Sequence, residues 1–154
     1  MLAATEAAAS AEVTHTHAEG IAGAVAIAVA ASHVAGPGPH DIFEAVLDHL
    51  TNGLVRQGVE QARKLPAISA QEAAAQLGNG SRITAEDTVP FTLWVAAQHL
   101  NDYETAVRTC AAVGGDRDTT AAIVGGIIGA RAPSIPSIWR QYREPLPAWF
   151  GHDA

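Results

Sequence analysis

At 154 residues, 48% of them hydrophobic, the chain is long enough for one domain with a real core, removing roughly two-thirds of its unfolded surface on folding. A net charge of -7, with no basic run and no aromatic-basic alternation, excludes a nucleic-acid footprint. The single cysteine, Cys110, excludes an internal disulfide, and with no signal-peptide pattern at the N-terminus the expectation is a soluble, cytoplasmic protein.

Residues 1–11 are Ala-rich and helix-prone but carry no clear apolar stripe, as at the broken end of an element. A polar turn, Val13 to Gly20, leads into Ile21–Val34, whose alanine content and length predict a buried helix rather than a strand. Its most apolar part, Ile21 to Ala31, is shorter than the ~20 residues that span a bilayer, so no membrane role is expected. Gly36-Pro-Gly-Pro39 is a hard break. From Asp41, the positions Phe43, Val46/Leu47, Leu50 and Leu54 predict one amphipathic helix, which stops near Leu65-Pro66. Ser69-Ala-Gln-Glu72 is a capping box opening a short helix that Gly78-Asn-Gly80 closes. Asp87 or Thr88 is expected to cap the next helix, with Pro90 in its first turn and Val89, Leu93, Ala96/Ala97 and Leu100 facing inward. Asn101-Asp102 breaks it, and Ala106, Val107, Cys110 and Ala111 carry a further helix to Gly114. After Arg131, Ala132-Pro-Ser-Ile-Pro136 leads to Ile138, Trp139 and Tyr142, then to a tail ending at Pro145-Leu-Pro147-Ala-Trp149. No stretch reads as a strand, no repeat appears and no linker divides the chain. The fold class is all-α, with residues 1–154 as one domain.

Chemistry concentrates between Val113 and Arg131. Gly114 and Gly115 end one helix and let the chain turn. Asp116, Asp118 and Thr119 then offer hard oxygen donors at the mouth of a helix of small and branched residues, Ala121 to Ala130. Such donors suit Mg²⁺ or Mn²⁺ better than Zn²⁺. The plain alternative is that Asp118 or Thr119 caps the helix while Asp116 is solvated in the turn. An EF-hand starting at Asp116 fails, because Ala121 and Ile127 stand where Gly and Glu are required. An Asp-x-Asp phosphatase would use Asp116, Asp118 and Thr120 after a hydrophobic strand, but a helix and two glycines precede them. His15-x-His17, with His33, His40 and His49, fits no common zinc spacing. Trp94, Trp139 and Trp149 read as core and tail anchors. Cys110 reads as a buried small hydrophobe, and Arg117 is either a phosphate contact or solvated.

Gly114-Gly115-Asp116-Arg-Asp118-Thr119, followed by the small-residue helix to Ala130, resembles the C-terminal metal motif of the ADP-ribosylglycohydrolases. That family includes the enzyme that reactivates ADP-ribosylated dinitrogenase reductase. Thr14-His15 with Gly20, Gly23 and Ala24 resembles the family's mid-chain histidine segment. Val89-Pro90-x-x-Leu93-Trp94 resembles its penultimate core helix, and Ile135-Pro136-x-x-Trp139 with Glu144-Pro-Leu-Pro147 its closing segment. The resemblance implies a compact multi-helix bundle and removal of ADP-ribose from protein or small-molecule conjugates, by attack of water at the ribose C1. It further implies a pair of Mg²⁺ or Mn²⁺ ions, which in such sites lie ~3.5–4 Å apart. On it, Asp116, Asp118 and Thr119 are metal ligands and His15, Gly114 and Gly115 meet the substrate, while His17 is ordinary surface.

The chain departs from the family where complete members carry a Thr-Asp-Asp run in their N-terminal half. Its own acidic pair, Glu86-Asp87, belongs to a helix start. The expectation is therefore the C-terminal portion of the fold, with a partial metal site and little turnover unless a second polypeptide or self-association completes it. A non-catalytic remnant or helical partner-binding module is the alternative.

Overall fold

The periodicity and capping signals are realised as nine α-helices and no strand among the described residues of the computed structural model, 2–38, 41–145 and 147. In chain order these are α1 (Leu2–Glu12), α2 (Ala18–Ala35), α3 (Ile42–Leu47), α4 (Leu54–Lys64), α5 (Ala70–Leu77), α6 (Ala85–Gln98), α7 (Tyr103–Ala112), α8 (Arg117–Gly129) and α9 (Ser137–Tyr142). The Ala-rich start is helical as expected. Pro39 and His40 of the first break, and Leu146 and Trp149 of the tail, lie outside the described residues.

Two helices form the centre. α6 is buried on every side from Asp87 to Ala96, where the sequence pattern predicts one inner stripe. A helix apolar all round belongs in the middle of a bundle, and α6 packs on α2, α3, α4, α5, α7 and α8. α2 is long and apolar enough to cross a membrane by length and composition. In the fold it is the second core helix, touching α1, α3, α4, α6 and α8 and enclosing Ala26, Val29 and Ala30 completely. Trp94 is buried in α6 and stacks on Phe91 with 6.5 Å between ring centroids. Trp139 of α9 lies edge-on to Tyr103 with the Arg108 guanidinium over its ring, tying α9 to α7.

Close approach occurs where glycine leaves room. A Cβ on Gly23 would lie 2.8 Å from Ala85 Cβ, so α2 and α6 meet almost backbone to backbone. A Cβ on Gly58 would run into the Pro90 ring, so α4 seats against α6 at that proline. In α8 the expected close packing holds only along one side. Gly125 faces Tyr103, whereas Gly126 and Gly129 face open space. These environments predict opposite signs for one substitution. Gly126→Ala stabilises by about 0.5–1 kcal/mol, the ordinary helix gain. Gly58→Ala forgoes that gain and destabilises by about 1–2 kcal/mol through overpacking. Urea unfolding of the two variants reads the contrast directly.

Three local expectations are corrected. The single helix expected from Asp41 to about Leu65 is two, α3 and α4, separated by residues 48–53. The reason is tertiary: Glu19 of α2 accepts the Leu54 N–H at 2.9 Å and the Val55 N–H at 2.7 Å, so α4 begins where a remote carboxylate caps it. Leu54 is consequently 53% exposed. α6 begins at Ala85 rather than after Asp87 or Thr88, which places Pro90 inside the helix. Its missing N–H costs the bond to the Glu86 carbonyl, and its ring fills the space over Gly58. Finally, α8 is capped by Asp116, and not by Asp118 or Thr119. The Ser69–Glu72 capping box is present in full, and α5 stops at Gly78.

Cys110 is fully buried. Burial pushes its thiol up from a usual value of 9.0 to about 12. The folded state thus favours the neutral thiol, so its contribution to stability is complete below pH 9.0 and is lost as pH rises toward about 12. At pH 8 a chromogenic disulfide reagent is expected to leave Cys110 untouched in the native protein and to modify it stoichiometrically in urea.

Candidate functional site

The N-terminal halves of α2, α6 and α8 converge, and between them lies a cleft of about 610 Å³. Helical spacing sets what each wall presents. α2 supplies Gly20, Gly23, Ala24 and Ile27; α6 supplies Ala85, Glu86, Thr88 and Val89, after Ile83 and Thr84; α8 supplies Thr119 and Ile123, after Asp116. The residues one or two turns into each helix, Ile27, Val89 and Ile123, are apolar. The helix starts, joined by His15, His17 and Glu19, are polar and largely acidic. The volume falls in the range of nucleotide- or drug-sized ligand sites. A second groove of about 380 Å³, between α3 and α4, is lined mainly by charged side chains such as Arg56 and Glu60, which already pair with each other.

Asp116 is the hinge of the site. Its carboxylate accepts the Thr119 N–H at 3.3 Å, closing the first turn of α8. The Thr119 side chain and N–H hold its carboxyl below the usual carboxylate range, against an opposing effect of desolvation. Asp118 and Thr119 flank this carboxylate in the first turn of α8. Its stabilising contribution is present above the ordinary carboxylate range and is lost as pH falls through its lowered value.

The loop from Gly78 to Thr84 seats Asp116. The Asp116 N–H donates to the Asn79 carbonyl at 3.1 Å, and a Cβ on Gly80 would lie 2.7 Å from Asp116 Cβ. The loop is in turn held by Asp87, which is 3% exposed. Its carboxylate accepts the Arg82 N–H and Nε–H, both at 2.8 Å, while its carbonyl accepts the Gly80 N–H at 2.9 Å. This over-determined loop keeps Ile83 at φ 56°. For a branched residue such a conformation costs about 1–3 kcal/mol.

His15 stands on the α2 side of the cleft. Its ring pairs with Thr14 Oγ1 at 2.8 Å and lies against Gly20, where a Cβ would come within 3.3 Å of the imidazole. The spacing of Thr14, His15 and Gly20 thus has a packing reason. His17, expected to be ordinary surface, also lines the cleft, and its Nδ1 accepts the Glu19 N–H at 3.3 Å to cap α2.

Of the sequence-predicted site residues, His15, Asp116 and Thr119 come together on one cleft. Asp118 is exposed in the first turn of α8, beside Asp116 but not on the cleft wall. Gly114 and Gly115 do not line the cleft. Both take positive φ in the turn, Gly115 pressed against Asn79 and Gly114 facing open space, so their visible task is the turn itself. Arg117 is exposed and off the cleft. Sequence reasoning missed Glu19 and Ile83. Glu19 carried no local signal because its partners are 35 and 36 residues away.

The sequence profile of the ADP-ribosylglycohydrolase family matches residues 1–151. The chain belongs to the ADP-ribosylglycohydrolase family. An uncharacterized protein of Archaeoglobus fulgidus is 35% identical over 135 residues, covering 84% of this chain and 43% of that protein. The chain therefore spans less than half the length of this curated relative. No solved structure matches it.

For a member of this family the fit of a metal is a question of donors. Two carboxylates and a hydroxyl fit one hard cation, because Mg²⁺ keeps several waters and takes one or two carboxylates. They do not fit two, and among the described residues no group of three or more His, Cys, Asp or Glu side chains is placed to hold a metal ion. The Asp-x-Asp phosphatase alternative lacks the strand it needs, since Asp116 caps a helix that follows another helix.

Proposed function

We propose that this chain binds ADP-ribosyl groups in the α2–α6–α8 cleft and serves hydrolysis of the bond at the ribose C1, on a protein or small-molecule conjugate. Family membership supports a glycohydrolase-type function. The observation that supports the finer reading is the meeting of Asp116 and Thr119 with His15 on one cleft, with Asp118 next to Asp116 in the first turn of α8. On this reading the three oxygen-bearing residues hold a hard cation, Mg²⁺ or Mn²⁺. When bound, such an ion supplies Lewis-acid polarisation of ribose oxygens and a more acidic water. Asp116 contributes a carboxylate fixed in direction by the Thr119 N–H. Thr119 presents its hydroxyl one helical turn from the cap. His15, held by Thr14 and Gly20, contacts the sugar or its phosphates from the α2 side. Ile27, Val89 and Ile123 keep the base of the cleft apolar, which strengthens polar contacts at its mouth.

Binding without turnover is the second reading, favoured by the donor count. A two-ion site needs further oxygen ligands, which another polypeptide or a second copy would supply. Calorimetric titration with Mn²⁺ and then ADP-ribose tests both readings, alongside release of ADP-ribose from arginine- and serine-linked conjugates. Wild type is expected to bind the ion and, more tightly in its presence, ADP-ribose; Asp118→Ala loses both. Release of ADP-ribose supports hydrolysis by this chain alone, and binding without release supports the second reading. If neither form binds, the ADP-ribosyl reading is wrong for this chain.

A further inference from the structure

We infer that Asp87 is a positioning residue for this site, acting through the loop before α6 to fix where the Asp116 carboxylate points. This rests on the cation-binding reading of Asp116. It goes beyond that reading by naming a residue, off the cleft wall, that sets how well the ion is held.

Three observations carry it. Asp87 is 3% exposed, and its carboxylate accepts the Arg82 N–H and Nε–H, both at 2.8 Å, with Nη2 of the guanidinium also 2.8 Å away. In a capping box the acidic side chain at the third position of a helix turns back to its own N-cap. Asp87 stands third in α6 after the cap Thr84, yet the bonds its carboxylate accepts come from Arg82, in the preceding loop. Burying a carboxylate is costly unless it is bonded, and here those bonds shape the loop rather than start the helix.

The main chain of Asp87 closes the loop from the same side. Its carbonyl accepts the Gly80 N–H at 2.9 Å, and a Cβ on Gly78 would run into that carbonyl. The clamp is stiff enough to hold Ile83 at φ 56°, a conformation unfavourable for a branched residue.

What the clamped loop presents outward is the seat of Asp116. The Asn79 carbonyl accepts the Asp116 N–H at 3.1 Å, Gly80 lies against the Asp116 Cβ, and Gly115 presses on Asn79. The loop holds the main chain of Asp116 and the Thr119 N–H holds its carboxylate, which fixes one orientation at the cleft. A ligating group must stand within about 0.5 Å of its productive position, so slack in the loop passes into ion affinity.

The test compares wild type, Asp87→Asn and Arg82→Ala by Mn²⁺ calorimetry, thermal denaturation and amide hydrogen exchange of the metal-free protein. Asp87→Asn should weaken Mn²⁺ binding about 10–100-fold, the usual effect of removing a group that orients a metal ligand. The Asp116 amide should lose protection, while amides in the middle of α8, such as that of Val124, exchange as in wild type. The Arg82 side chain is 70% exposed, so Arg82→Ala cuts the same clamp without opening the core and should move both readings the same way. It decides the matter if Asp87→Asn does not fold. A lower melting temperature with unchanged Mn²⁺ affinity would make Asp87 a prop of the fold and overturn this inference alone. So would an Asp116 amide as protected as in wild type. Failure of wild type to bind Mn²⁺ overturns the cation reading, and the role given to Asp87 with it.

Discussion

Asp116→Asn is expected to weaken Mn²⁺ binding about 100-fold or more while leaving the fold intact, a loss at or beyond that seen when a metal ligand's own support is removed. Asparagine caps helices as well as aspartate does, so the Thr119 N–H at the start of α8 keeps its acceptor. What disappears is the negative charge, which the Thr119 side chain favours. Melting of Asp116→Asn should stay within about 2–4 °C of wild type, whereas Asp116→Ala loses the cap and the charge together. Calorimetry and thermal denaturation on the same samples separate these effects. An Asp116→Asn protein that binds Mn²⁺ like wild type would show that the residue does no more than cap its helix.

Phe91→Ala carries the largest expected loss of stability, about 3–5 kcal/mol. Phe91 is completely enclosed at the centre of α6 and stacks on Trp94. Removing its ring leaves a void that helices on every side of α6 can only partly fill. For a chain of this size the fall in Tm is about 6–20 °C, a large share of the margin of about 5–15 kcal/mol that most domains have. Urea unfolding should show a lower midpoint with an unchanged slope. A loss below about 1 kcal/mol would mean that the bundle collapses onto the vacated space and that α6 is not its rigid centre. The same helix supplies Thr88 and Val89 to the cleft, so ADP-ribose binding should weaken in this variant as well.

Much of this was legible in the chain itself. Ser69 and Glu72 satisfy each other's backbone groups within three residues, so that helix start needs nothing from the rest of the protein. Asn101-Asp102 marks the break before α7, where Asp102 accepts the Thr105 N–H at 3.0 Å as its cap. Cys110 follows from its place on an apolar stripe. The glycine-hinged trio Asp116, Asp118 and Thr119 stood out because its parts are adjacent in sequence, and so did the likeness to the ADP-ribosylglycohydrolases.

The chain alone thus determined an all-helical protein and many of its helix boundaries, because capping and 3.6-residue periodicity are settled within a turn or two. Tertiary structure decided the rest. It split the segment 41–65 into two helices through Glu19, set Pro90 against Gly58, brought His15 to the cleft of Asp116 and held Ile83 in a strained turn through Asp87. Each of these depends on groups that are remote in sequence or that local propensity would arrange differently, and only the packed chain brings them within reach.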